Sequence, residues 1–351
     1  GAATFVMAEI LGVPYLTIIV AAILPAVLFY LSVFMTVHFV ALRRGLAIVP
    51  EDEMPAWATI LAPRRVLPIL CALGGLGIGI WMGRSIATSA FYGIIGLLIA
   101  FFVTETGRLS LRQMADKLFN GLEDAGKGLV IIGVLLAGAQ VLVSMINLTG
   151  IGVTLSSLIV SMAGDSVVLV AMIVGGVCLV MGMGLPTTAA YVLVAAVLAP
   201  AMTAVGVDPL AAHLFVFYFA TISVITPPVC VAVFVGAGIA NTNWLPAAGE
   251  AVRLGAVTYL VPFLLLLYPG MLLGGSPLDI LEAVAAGLVL VLAVPALLSG
   301  AQLFGRKAVD VAIYALVIAL AIYPQPVTPF LALVILLAAH VLGRVQRRAL
   351  A

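Results

Sequence analysis

Runs of about 20 apolar residues recur along almost the whole chain, and a run of that length has few destinations other than a helix that crosses a bilayer. In hydrocarbon every backbone N–H and C=O must be paired within the protein, so only helices and closed barrels span. Candidate spans are 16–42, 66–83, 86–104, 128–147, 254–274, 276–300, 308–323 and 327–343. Composition points to the same solvent: 65% of the 351 residues are apolar and 8% charged, whereas a soluble domain carries roughly 25% charged residues. The chain is expected to be an all-α integral membrane protein. A net charge of +1 offers no basic stripe for nucleic acid. Cys71, Cys178 and Cys230 sit inside apolar runs, with neither paired nor metal-ligand spacing, and read as buried thiols.

Two further apolar regions are interrupted near their centres: 166–204 by GMGLPTT at 182–188, and 209–241 by ITPP at 225–228. Proline removes a backbone donor and glycine weakens a helix, so the freed groups there need protein, water or an ion as partners. Lys and Arg set the orientation. With the tail RVQRR placed in the cytoplasm, the loops 43–65 and 105–127, Arg253, Arg306 and Lys307 all fall inside if 166–204 is a re-entrant hairpin open to the outer face and 209–241 crosses as a broken helix. Of the 15 basic residues only Arg84 then lies outside. A full crossing at 166–204 would put the basic loops before and after it on opposite sides.

The stretch 108–127 places Leu111, Met114, Leu118 and Leu122 along one helical face, which suits an amphipathic helix at the membrane surface. Segment 150–163 is a candidate for a matching part on the outer side. Glu51, Asp52 and Glu53 read as a solvated face. The opening GAATFVMAEI has neither the basic flank nor the cleavage site of a signal peptide, so the sequence is expected to begin inside a longer protein. A weak internal repeat relates residues 1–16 to 230–245, with Phe5 on Phe234, Ile10 on Ile239, Tyr15 on Trp244 and Leu16 on Leu245. On the topology above the two copies point in opposite directions, the signature of an inverted-repeat transporter. His213 and Asp208 are expected at the outer interface, Glu9 near an outer helix end, and His38 and His340 near inner ends. No Ser-His-Asp set, HExxH or phosphate-cradling loop occurs, so the chain is not expected to be an enzyme.

Three stretches carry a family resemblance: GAATFVMAEILGVPYL at the start, MGMGLPTTAAYVLVAAVLAPAM at 181–202 and FATISVITPPVCVAVFVGAGIA at 219–240. They closely resemble the large permease subunit of tripartite ATP-independent periplasmic (TRAP) transporters, and more narrowly the fused permeases of the TAXI branch. The resemblance implies the C-terminal half of a longer permease, with the N-terminal part as its missing partner. It also implies a multi-pass protein of the bacterial inner membrane importing an organic anion, typically a carboxylate, on a sodium gradient. A TAXI-type periplasmic binding protein would deliver the substrate, and no cofactor is implied beyond Na+ as coupling ion. The implied fold is the elevator-type, inverted-repeat architecture of the divalent anion/sodium symporters. On that plan 1–15 ends a first-repeat broken helix, 16–104 is scaffold, 105–253 is the second repeat and 254–351 holds the C-terminal helices.

Physically, a hairpin tip beside a helix break gathers half-helix ends, carbonyls and hydroxyls at mid-membrane. Carbonyl oxygens suit a hard cation and helix N-termini an anion. The expected sodium and substrate site is the backbone of Gly182, Gly184 and Pro186 with the hydroxyls of Thr187, Thr188, Ser223 and Thr226, rimmed by Pro227 and Val229. The bland alternative is that Gly and Pro kink packed helices while the hydroxyls bond the preceding turn. Other function classes are a receptor-independent elevator-type anion/sodium symporter and a non-transporting scaffold or channel subunit.

Overall fold

The structure, a computed structural model, describes residues 2–45 and 54–350; the acidic run 51–53 lies outside the described residues, among which no strand occurs. The helices are α1 (Ala2–Leu11), α2 (Tyr15–Arg44), α3 (Trp57–Ile60), α4 (Pro63–Trp81), α5 (Ile86–Glu105), α6 (Leu111–Thr149), α7 (Ile151–Ala163) and α8 (Val167–Gly182). They continue as α9 (Thr187–Ala204), α10 (Pro209–Ile222), α11 (Val231–Ile239), α12 (Trp244–Leu254), α13 (Val261–Leu267), α14 (Pro277–Ser299), α15 (Lys307–Ile322) and α16 (Thr328–Leu350). Among the described residues five helices are long and apolar enough to cross a membrane alone, and α11 with α12 meets that test as a pair bent by 115°. The chain divides into two compact units, Ala47–Gly138 and Gly1–Leu46 with Ala139–Ala351.

In the smaller unit α4 and α5 form an antiparallel hairpin closed by glycine. A Cβ on Gly75 would overlap the Tyr92 carbonyl, one on Gly96 the Cys71 carbonyl, and one on Gly79 would stand 2.6 Å from the Ser89 Cα. Small residues allow this approach, and in lipid, where apolar area gives helices no reason to associate, such contact is what holds them. The Ser85 hydroxyl caps α5 by accepting from the Thr88 N–H at 3.2 Å. At the other end Arg64 donates through Nε and Nη2 to Glu105 at 3.1 and 2.7 Å. Outward-facing Leu70, Leu73, Trp81 and Phe91 are exposed, as lipid-facing side chains are.

In the larger unit α14 is the central helix, packed on α2, α15 and α16. Ser276 and Asp279 form a capping box at its start, with Pro277 in the first turn. Gly287 brings it onto Leu28 of α2, whose methyls would overlap any Cβ. Gly300 stops the helix at φ 68°. Its last carbonyls are then met by side chains from elsewhere: Arg43 donates to the Ser299 carbonyl and Arg253 to the Leu298 carbonyl, both at 2.9 Å. Cations at a helix C-terminus satisfy orphan carbonyls and oppose the helix dipole. Arg44 pairs with Glu250 at 2.6 Å, so the ends of α2, α12 and α14 lie together.

Two sequence expectations change. The span predicted over 254–274 is three short pieces: 3-10 turns at Ala256–Tyr259 and Pro269–Leu272 with α13 between them. Pro262 and Pro269 withhold backbone donors, and the irregular chain survives because it is buried in protein, with Val257, Val261, Leu264 and Met271 fully covered. The surface helix expected over 108–127 and the span expected over 128–147 are one continuous helix, α6. No proline interrupts it, and Lys127, the last residue before the expected junction, pairs with Glu123 one turn back at 2.7 Å. Segment 151–163 is helical as α7 and packs on α9, the Ser156 hydroxyl donating to the Val197 carbonyl at 3.1 Å.

The internal repeat is visible as two copies of one elbow. Gly12 and Asn241 take φ 62° and 49°. The Val13 N–H bonds the Ala8 carbonyl at 3.2 Å as the Thr242 N–H bonds the Ala237 carbonyl at 3.0 Å. The next residues, Pro14 and Asn243, are extended, with ψ 136° and 134°. Tyr15 and Trp244 then open a helix and lay their rings on Phe5 and Phe234, centroids 4.4 and 5.1 Å apart. Every pair keeps the register in which 1–16 matches 230–245.

Candidate functional site

Helices α8, α9 and α10 surround the two sequence breaks. Gly175 of α8 faces the Phe219 ring, and Gly182 faces Ser223, whose Oγ lies 2.6 Å from where a Cβ would stand; α8 and α10 therefore run the same way. Tyr191 of α9 meets His213 and Phe217, so α9 runs back. Both open ends of 166–204 consequently lie beside Pro209 at the start of α10, while the tip at 183–186 lies beside the end of α10. At 1.5 Å per residue α8 and α10 reach about 24 and 21 Å from that shared end, short of the roughly 30 Å of a hydrocarbon core. The tip and the break thus share one end of a helix layer shorter than a hydrocarbon core is thick.

Beyond Ile222 the chain makes a 3-10 turn at Ser223–Ile225 and then extends to Cys230 before α11 begins. Pro227 and Pro228 are joined by a cis peptide bond. Gly184, at φ 74°, brings the tip to 3.3 Å between its Cβ position and Val229 Cγ1. Gly is required twice over at this point: the left-handed φ is strained for other residues, and a side chain would press on Val229.

Of the expected site residues, Gly182, Gly184, Ser223 and Val229 are in contact across the two breaks. Thr187 and Thr188 open α9 behind Pro186, half-buried, and their hydroxyls have no partner among the described residues. The first N–H groups of α9 have no intrahelical acceptor. The Gly182 and Pro186 carbonyls each accept one bond, from the Leu185 N–H at 3.3 Å and the Ala190 N–H at 2.9 Å, and each retains a lone pair. Ser223 and Thr226 follow the bland pattern in part, donating to the Ala220 and Ile222 carbonyls at 2.7 and 2.8 Å. Thr226 Oγ1 also lies 2.6 Å from the hydroxyl of Tyr259. Sequence reasoning missed Tyr259, one polar atom in an apolar stretch read as a plain span. With its own proton given to Ile222, Thr226 accepts from Tyr259 and keeps one lone pair free.

His213 departs from expectation. It is 9% exposed and packed against the hairpin, its Nδ1 2.8 Å from the Tyr191 hydroxyl, rather than open to solvent. Asp208 caps α10, accepting from the Leu210 and Ala211 N–H groups at 2.9 and 3.1 Å. Among the described residues no three of His, Cys, Asp and Glu gather to hold a metal ion. A cation at the breaks would therefore be held by neutral oxygens.

An all-helical membrane chain whose two interrupted apolar segments meet has the build of a membrane transport protein. The chain belongs to the family described as tripartite ATP-independent periplasmic transporter, DctM component, which matches residues 1–278. It is similar to the isethionate TRAP transporter permease protein DctMQ of Oleidesulfovibrio alaskensis, 29% identical over 179 residues, which are 51% of this chain and 26% of that protein. The match thus spans about a quarter of that relative's length. No solved structure matches the chain. The family is one of transporters and not of enzymes.

Proposed function

We propose that the chain works in the permease of a sodium-coupled secondary transporter that imports a small organic anion, of the carboxylate class, delivered by a periplasmic binding protein of the TAXI type. The single observation that carries this reading is the contact of the tip with the break, Gly182 on Ser223 and Gly184 on Val229. On this reading the unpaired N–H groups of α9, the lone pairs of Gly182 and Pro186 and the hydroxyls of Thr187, Thr188 and Thr226 share one site. The positive end of α9 favours an anion and the neutral oxygens favour a hard cation. The relative named for isethionate, a small organic anion that carries a sulfonate, supports an organic anion as substrate and leaves the carboxylate class to the proposal alone. The meeting of Arg43, Arg44 and Arg253 at one end supports an inner-membrane orientation with that end, and the C-terminus, in the cytoplasm. On this reading 166–204 is re-entrant and moves with α10 as an elevator against the remaining helices.

Binding of radiolabelled sodium to the reconstituted chain tests it. Thr187→Val, Thr188→Val and Thr226→Val keep the shape and remove one oxygen each, a loss of about 1 kcal/mol or roughly fivefold in affinity per site. Parent-like sodium binding in all three variants would remove the proposed site.

A further inference from the structure

Tyr191 and His213 are a buried polar pair that the sodium reading leaves unused. Tyr191 is fully buried on α9, one turn beyond Thr188, and His213 is 9% exposed on α10. Their bond, 2.8 Å from Oη to Nδ1, joins the returning arm of the hairpin to the broken helix. The Phe217 ring closes the other side of Tyr191 edge-on, centroids 5.8 Å apart. Nε2 of His213 has no hydrogen-bond partner among the described residues.

No charged side chain in the surroundings is bonded to this imidazole. The elements packed on α10 are α1, α8, α9, α13 and the turns at 223–225 and 256–259. Their ionisable residues are Glu9, which is exposed, Cys178, Tyr191 and Tyr259, the last bonded to Thr226. On α10 itself Tyr218 is the other ionisable side chain, and Asp208 before it is spent on the cap. None of these elements carries Lys or Arg.

The hydrogen bond has only one workable sense while the imidazole is neutral. The Tyr191 hydroxyl has no acceptor other than Nδ1, so it donates there and the imidazole proton sits on Nε2. One added proton must take the lone pair at Nδ1, which makes both ring nitrogens donors. Nδ1–H then points at Tyr Oη, and the Tyr O–H must turn to an acceptor that the closed packing does not provide. An unmet buried donor is costly, and water reaches it only if α9 and α10 part.

We propose that Tyr191 and His213 form a proton-binding site in the seam between the hairpin and α10, and that one proton taken from water loosens that seam. The balance is one H+ bound per imidazole, with no other bond made or broken. The site stands apart from the sodium reading and adds a second ion to which the hairpin answers.

Two measurements on the reconstituted 351-residue chain decide it. The chain holds three histidines, so nitrogen-15 histidine spectra identify His213 as the signal missing from His213→Asn. That signal should titrate as one proton over a single pH interval, and Tyr191→Phe should move its midpoint by about half a pH unit or more while the other two histidines stay put. Amide exchange along α9, corrected for its intrinsic pH dependence, should quicken over the same interval, and that step should vanish in His213→Asn. A His213 signal that does not titrate, a midpoint indifferent to Tyr191→Phe, or an exchange step that survives His213→Asn would each overturn the proposal. Sodium binding by the threonine variants is read separately, so either conclusion can fail while the other stands.

Discussion

Two helical hairpins of similar length, α4–α5 and α8–α9, use glycine for opposite ends. In α4–α5 the glycines face the partner arm, so that Gly75 and Gly96 rest on the carbonyls of Tyr92 and Cys71. Backbone meets backbone, and neither side can yield. In α8–α9 the glycines face a third helix: Gly175 makes room for the Phe219 ring and Gly182 for the Ser223 side chain. Side chains can turn aside where carbonyls cannot. The first arrangement welds two helices into one piece, whereas the second seats a two-arm element against α10 through contacts that can be remade. Of the two, it is the second hairpin whose tip meets the break after α10.

The same substitution at both places is the sharpest way to break this contrast. Gly75→Ala should destabilise the chain by about 3 kcal/mol, seen as a large fall in the thermal midpoint in detergent, and no single neighbouring side-chain change should restore it. Gly182→Ala should cost less, about 1–2 kcal/mol, because Ser223 can give. Ser223→Ala should recover most of that loss in the double variant, a coupling that a double-mutant cycle reads directly. Equal costs for the two glycines, or a Gly182→Ala defect untouched by Ser223→Ala, would erase the distinction. Smaller still, Tyr259→Phe removes one partner of Thr226 and should cost about 1 kcal/mol; a thermal midpoint equal to that of the parent would show that Tyr259 does not hold the break. Smallest is Asn241→Gly at the second elbow, which relieves a positive φ and should change stability by no more than about 0.5 kcal/mol. A larger shift would mean that the Asn side chain holds the elbow, unlike Gly12 in the first copy.

What could be read in the sequence followed how local the cause is. The long helices, both breaks and the elbow repeat come from apolar length, from Gly and Pro, and from aromatic residues ten positions apart, and all of these lie within a few turns of chain. The interruption at Pro262 was visible as a residue but hidden as a break, since apolar length alone suggested a span and only burial by neighbouring helices permits otherwise. The continuity of α6 was hidden because an amphipathic stretch and an apolar stretch suit different surroundings while sharing one backbone geometry. The polar pairs Tyr191 with His213 and Thr226 with Tyr259 bridge 22 and 33 residues, beyond the reach of any periodicity. Four of the expected site residues meet one another across the breaks, but the partner of Thr226, Tyr259, came from outside the motifs.

The bond from Arg43 to the carbonyl of Ser299 joins residues 256 apart in the chain. During synthesis at about 5–20 residues per second, Arg43 leaves the ribosome on the order of tens of seconds before its acceptor exists. Over that interval the guanidinium has only its charge to act with, and charge is what decides which side of the bilayer a helix end stays on. When α14 arrives, the same side chain becomes a hydrogen-bond donor to a finished helix end. One arginine thus acts twice in the life of the chain, first as a topology signal and later as a fastening. Arg43→Lys would preserve the first act and weaken the second, since lysine keeps the charge but lacks the planar fork.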